Sequence, residues 1–144
     1  MDVKHILEEK GNDVFTLSED VTLGEATKAL AAQRIGALIL LDRDGQLAGI
    51  LSERDVVRMI GTKGPECLTE NVADVMTRKV TTCGEEATVN EVMELMTRGR
   101  FRHIPVVERG KLVGIVSIGD LVKRRIEEAE REAEDMRTYI SAAG

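Results

Sequence analysis

Gly49-Ile50-Leu51-Ser52-Glu53-Arg54-Asp55 and Gly114-Ile115-Val116-Ser117-Ile118-Gly119-Asp120 carry one pattern twice: Gly, two apolar residues, Ser, two variable residues, Asp. In each, the apolar pair reads as a strand end and the Ser as the cap of a new helix, with a carboxylate in its first turn. The two copies lie 65 residues apart. Working backwards, Leu40-Leu41-Asp42 falls on Val106-Val107-Glu108 and Arg34 on Arg100. Thr22-x-x-Glu25 falls on Thr88-x-x-Glu91, and Val14-Phe15-Thr16 on Val80-Thr81-Thr82. The spacing there is 66, because one residue near Asp44 is extra in the first copy. Such self-similarity means one supersecondary unit used twice.

Within each copy the hydrophobic period changes in the same order. Thr22-x-x-Glu25 and Thr88-x-x-Glu91 have the form of capping boxes, so each opens a helix. Leu23, Ala26, Thr27 and Leu30, and in the second copy Val89, Val92, Met93 and Met96, fall at helical spacings on one face. Short apolar runs of strand length follow at Ala37 to Leu41 and Ile104 to Val107. The turns Asp42-Arg43-Asp44-Gly45 and Glu108-Arg109-Gly110 then lead into second strands at Leu47 to Leu51 and Leu112 to Val116. With a brief first strand near Val14 or Val80 and a helix from Ser52 or Ser117, each unit reads strand, helix, strand, strand, helix.

A unit of fewer than about fifty residues buries little apolar surface alone, whereas two packed about a pseudo-twofold share one core. The expectation is an α+β fold of two βαββα repeats. They span residues 14–60 and 80–126, with an N-terminal helical segment over 1–13, a connection over 61–79 and a helical tail over 127–144. Gly61 to Lys79 contains Gly-Thr-Lys-Gly-Pro, and Ala73 to Met76 has room for a helical turn. Val3, Ile6 and Leu7 give the first segment a small apolar face that Gly11 terminates. In the tail, Val122, Ile126, Ala129, Ala133, Met136 and Ile140 recur at steps of four and three, the seam of a helix that either pairs with a second copy or is solvated.

Composition removes several classes of function. The 144 residues carry a formal net charge of −6 and only two Phe, one Tyr and no Trp. No aromatic platform or broad basic field for nucleic acid is present. Cys67 and Cys83 lie outside any CxxC spacing, and two thiols build neither a disulfide framework nor a metal cage. No apolar run reaches a membrane span, and the start of the chain lacks the apolar stretch of a signal peptide, so a cytoplasmic protein is expected. His5 and His103 stand beside no nucleophile motif, metal-ligand spacing or phosphate loop, which argues against an enzyme.

What remains is the chemistry of the repeated helix start. An Asp there has the geometry to accept hydrogen bonds from the vicinal hydroxyls of a ribose, and the exposed amides of the helix start favour an anion. The alternative is purely structural, since Ser-x-x-Asp is also a variant capping box. Arg34 and Arg100 occupy matching places before the apolar strands, and the second copy adds Arg102 and His103, a set suited to phosphate or simply a solvated cluster.

These residues resemble the tandem CBS (cystathionine beta-synthase) domain pair, or Bateman module, from about Val14 to about Arg125. The resemblance is carried by the doubled motif, by Arg102-His-Ile-Pro-Val-Val-Glu108 and by Asp74-Val-Met-Thr-Arg-Lys-Val80. It implies a non-catalytic regulatory sensor of adenosine-containing ligands: AMP, ADP or ATP, with NAD(H) or S-adenosylmethionine in some members. It further implies that Asp55 and Asp120 hold ribose hydroxyls and that Ser52 and Ser117 meet the ribose or α-phosphate. Arg100, Arg102 and His103 would meet phosphates, with Arg34 and Arg54 as weaker candidates. Adenine would lie in an apolar slot of Val14, Ile35, Ala37 and Leu38, or of Val80, Thr82, Phe101, Ile104 and Pro105. The first copy has the poorer cationic set, with Gly36 in place of Arg102 and Ala37 in place of His103. The expected partners are an adenine nucleotide, a second copy in a homodimer and a regulated protein. The rival reading is a ligand-independent dimeric scaffold.

Overall fold

Thr22 and Thr88 each accept a hydrogen bond at Oγ1 from the amide three residues on, Glu25 and Glu91, at 3.1 Å. The computed structural model, which describes residues 2–143, shows the helices they open, α2 (Leu23–Gln33) and α4 (Val89–Gly99). Both end on an arginine in the left-handed region, Arg34 at φ 54° and Arg100 at φ 56°. The other elements are α1 (Val3–Lys10), β1 (Thr16–Ser18), β2 (Ala37–Leu41), β3 (Leu47–Ser52), α3 (Glu53–Lys63), β4 (His103–Glu108), β5 (Lys111–Ser117) and α5 (Ile118–Ala143). Short 3-10 turns at Pro65–Thr69 and Val72–Asp74 lie in the connection.

The first sheet has the order β1-β2-β3, with β1 parallel and β3 antiparallel to β2. The second contains only the hairpin β4-β5 among the described residues. The strand expected near Val80 shrinks to one parallel bridge between Cys83 and Val106. The cause is local: Pro105 stands where β2 has Ile39, and proline has no amide proton for the ladder.

Each hairpin breaks register at the same place, between Leu40 and Leu41 and between Val106 and Val107. The second closes through Arg109 and Gly110 at φ 52° and 77°, between paired Glu108 and Lys111. Two positive φ values match the twist of the flanking strands. The first hairpin is longer, and Asp42 Oδ1 organises it by accepting from the amides of Asp44 and Gln46, both at 2.9 Å. The extra residue near Asp44 is absorbed there.

Two cores form, each completed by the segment that leads into the other repeat. Val3, Ile6 and Leu7 of α1 join Val89, Val92, Met96, Ile104, Val106, Val116 and Leu121 of the second repeat. Cys67, Val72 and Met76 of the connection join Leu23, Ala26, Leu30, Leu38, Leu40, Leu51 and Val56 of the first. The backbone repeats the exchange: Asp2 bridges Thr88 and Asn71 bridges Thr22. Val3 N–H donates to Ala87 O and Val72 N–H to Val21 O, both at 2.9 Å.

This docking explains the glycine that heads the doubled motif. A Cβ on Gly49 would lie 2.6 Å from Met76 Sδ, and one on Gly114 would lie 2.7 Å from Leu7 Cδ2. The 26-residue α5 continues unbroken past the second sheet, leaving Val122, Ile126, Met136, Tyr139 and Ile140 exposed. Arg124, buried on α5, ties α1 to it through Glu9 Oε1 at 3.4 Å. No described helix is long and apolar enough to cross a membrane.

Candidate functional site

Where β3 runs into α3, the chain opposite is the end of the connection and the start of β4. The space between them is a cavity of about 370 Å³, within the range of small-ligand sites. Repeat one supplies Gly36, Ala37, Ile50, Ser52, Glu53, Arg54, Asp55 and Arg58. The connection supplies Thr77 and Lys79, and repeat two supplies Val80, Thr81, Gly99, Arg100, Phe101, Arg102 and His103. The carboxylate of one copy therefore lines the same cavity as the cations of the other. Five fixed cations, Arg54, Arg58, Lys79, Arg100 and Arg102, stand against Glu53 and Asp55 in a chain that is acidic as a whole. Such a local inversion of field concentrates anions.

Asp55 has both of the roles read from the sequence within reach. Its Oδ2 accepts from Ser52 N–H at 2.9 Å while Ser52 Oγ accepts from Asp55 N–H at 3.2 Å, a reciprocal helix cap. Its Oδ1 lies 3.7 Å from Arg58 Nη1 at the cavity wall. An ionised carboxylate offers about four lone-pair sites, so capping leaves capacity for further donors. Phe101 brings an aromatic ring to the cavity, folded across Gly99, where a side chain would collide with it.

His103 sits at the seam, its ring 3.1 Å at Cε1 from where a Gly36 Cβ would stand. Burial pushes its pKa below the usual histidine range, against an opposing pull from Glu53. That direction favours its neutral, hydrogen-bonding form. With the folded value depressed, its contribution to stability is fully present above about 6.5, the unfolded value, and is lost as pH falls through the folded one. His103→Gln should therefore show a smaller fall in melting temperature between pH 7 and pH 5.5 than the parent; an equal fall would place the proton elsewhere.

The second motif has the same cap and a different neighbour. Ser117 N–H donates to Asp120 Oδ2 at 2.8 Å, and Asp120 N–H donates to Ser117 Oγ at 3.2 Å. Lys10 Nζ also donates to Asp120 Oδ2, at 2.7 Å. Burial alone would raise the Asp120 pKa, but the Lys10 ammonium and the Ser117 amide together hold it below the usual carboxylate range.

The cavity thus gathers Ser52, Arg54, Asp55, Arg100, Arg102, His103, Ala37, Val80 and Phe101 from the sequence expectations. Arg34 and Ile35 line a second groove between α2 and α3, with Thr27 and Val57, which shares Gly36 and Glu53 with the cavity. Ser117, Asp120, Val14 and Thr82 line neither space. Leu38 and Ile104 are fully buried in the two cores, and Pro105 is buried as well; none of the three lines the cavity. Gly36, Ile50, Glu53, Arg58, Thr77, Lys79, Thr81 and Gly99 were not anticipated. Arg58 was legible as the residue one turn beyond Asp55; Thr77 and Lys79 depend on the long-range docking of the connection.

Among the described residues, no three His, Cys, Asp or Glu side chains form a metal cage. Cys83 is half-buried, and burial, with Glu108 nearby, raises its thiol pKa to about 11.

Comparison with known proteins places this geometry. The description "CBS domain" matches the chain twice, over residues 3–62 and 72–127. A mitochondrial CBS domain-containing protein of Arabidopsis thaliana is 38% identical over 84% of this chain, which spans 61% of that relative. Inosine-5'-monophosphate dehydrogenase of Methanocaldococcus jannaschii is 37% identical over 78% of this chain, which spans 22% of that enzyme. A CBS-domain protein structure from Agrobacterium tumefaciens superposes with a TM-score of 0.84 at 47% identity, over 86% of this chain and 92% of the other. The CBS domain pair of protein MJ0100, in complex with 5'-methylthioadenosine and S-adenosyl-L-methionine, gives 0.78 at 26% identity over 89% and 98%. A CBS domain protein of Pyrobaculum aerophilum, complexed with AMP, gives 0.74 at 28% identity over 83% and 89%.

Proposed function

Because this chain belongs to the CBS domain family and carries the unit as a tandem pair, we propose that it is a non-catalytic sensor whose inter-repeat cavity binds an adenine nucleotide. The observation that carries the reading is that Asp55, on its helix start, lines one cavity with Arg100 and Arg102 from the other repeat. Asp55 Oδ1 takes the ribose hydroxyls, with Ser52 beside it. The arginines and Lys79 take the phosphates, and the ring of Phe101 with Ile50, Ala37 and Val80 encloses the base. Two of the solved relatives hold AMP, or 5'-methylthioadenosine with S-adenosyl-L-methionine, which supports an adenosine-type ligand. The excess of cations favours AMP, ADP, ATP or NAD(H) over S-adenosylmethionine, whose sulfonium is itself positive.

Signalling requires that the ligand bind two conformations unequally. Because the cavity walls come from both repeats, occupancy changes the seam at His103 and Gly36. A partner protein then reads that change, in the cytoplasm and from a homodimer. Val57 on α3 and Val122 on α5 hold matching places in the two repeats and are 71% and 43% exposed. They give the dimer its apolar contact. The same pair of residues favours the second reading, a scaffold that needs no ligand.

Isothermal titration of AMP and ATP decides between them. Asp55→Ala should weaken binding by about 1.5–3 kcal/mol, roughly 10- to 150-fold, as for lost hydrogen bonds to a charged group. Unchanged affinity in the variant would overturn the ribose role. An unmoved melting temperature with saturating nucleotide would favour the scaffold. Native mass spectrometry of the purified protein reports co-purified ligand and subunit number together.

A further inference from the structure

The two motif carboxylates of the pair meet different surroundings, although the segments that serve them dock alike. Met76 lies under Gly49 and Leu7 under Gly114, and three residues beyond each comes a lysine, Lys79 and Lys10. After Met76 the chain makes one bridge to β3, where Thr77 N–H donates to Ile50 O at 2.9 Å and Ile50 N–H donates to Thr77 O at 3.0 Å, and then bends at Arg78 and Lys79. Lys79 is thereby delivered to the wall of the open cavity. After Leu7 the helix α1 continues to Lys10 and ends at Gly11, φ 95°. Among the described residues no backbone hydrogen bond joins α1 to Ile115, the counterpart of Ile50, and Lys10 Nζ donates to its carbonyl instead, at 2.9 Å. The same ammonium donates to Asp120 at 2.7 Å.

We propose that Lys10 is a built-in occupant of the second crevice, holding the Asp120 carboxylate so that the chain offers one working nucleotide site and one self-filled site. Side-chain exposure is 34% for Lys10 and 24% for Asp120, so solvent screens the pair in part and the geometry, two hydrogen bonds from one ammonium, holds it in place. The strap that carries it is anchored independently: Glu9 meets buried Arg124, Asn12 Nδ2 donates to Val113 O at 2.9 Å, and Lys4 N–H donates to Glu85 O at 2.9 Å. Phosphate groups also have less to hold them there, because Gly36 and Ala37 occupy in the first repeat the places of Arg102 and His103. Lys10 shares Asp120 Oδ2 with the Ser117 amide, so its withdrawal removes the ammonium from beside the carboxylate without disturbing the Ser117 cap.

The inference rests on the nucleotide reading of the first cavity, and counting sites keeps the two apart. AMP titrated into the intact chain should bind at one site per chain, abolished or weakened by Asp55→Ala and indifferent to Asp120→Asn. Lys10→Ala should bind two AMP per chain, and Lys10→Ala with Asp120→Asn should return to one. Lys10→Gln, which keeps the length of the side chain and the helix, serves if the alanine variant does not fold. Two Asp120-dependent and Asp55-dependent sites in the unmodified protein, or a single site in both Lys10 variants, would overturn the lock. No binding to the unmodified protein but one Asp120-dependent site in Lys10→Ala would uphold the lock and refute the first cavity. No binding anywhere would refute both.

Discussion

Leu38→Ala will cost about 2–5 kcal/mol of folding stability and leave the affinity of the folded protein for AMP unchanged. Leu38 is fully buried, among Leu23, Ala26, Leu30, Leu40 and Leu51, between β2 and the helices that cover it. Removing three carbons from so dense a place loses their transfer energy and leaves a void that the rigid sheet fills only in part. Urea unfolding reads the first quantity and titration at low temperature the second. A loss of AMP binding with little loss of stability would return Leu38 to the ligand slot that its sequence position suggested.

Gly49→Val will be of similar size, about 3 kcal/mol or more, at the upper end of the range for overpacking. A Cβ there would meet Met76 Sδ at 2.6 Å and, less forgivingly, the Thr77 carbonyl at 2.9 Å. Thr77 is held by both of its backbone bonds to Ile50, so the strand and the connection have to separate. That movement also shifts Thr77 and Lys79 in the cavity wall, and nucleotide affinity falls with stability. Thermal melts with and without AMP check both. A variant as stable as the parent would mean that the connection does not dock as described.

The repeat, the hairpins and the helix starts were legible because each is written in neighbouring residues. Capping Thr and Ser, turn Gly, and apolar periods of two or three to four act over a few positions. What escaped was set by contacts across the chain. Nothing near Leu38 distinguishes a wall of a slot from the middle of a core; that depends on which face of β2 the helices cover. The cross-supply of cations, Arg100 and Arg102 to Asp55, depends on how the repeats pack. Lys10 carried no signal beyond a basic residue at a helix end, and its partner lies 110 residues away. Proline at position 105 was visible, yet its effect on the second sheet needed the register against Cys83.

The exchange of lead-in segments bears on how the molecule is made. Leu7 is translated more than a hundred residues before its seat at Gly114. At about 5–20 residues per second, the nascent helix waits roughly 5–20 s with Val3, Ile6 and Leu7 uncovered. The first repeat needs only Met76 to close and is complete by then, so it is a finished platform when the second condenses beside it. Vectorial synthesis thus gives the two halves different histories, and the early helix is the part most open to a chaperone.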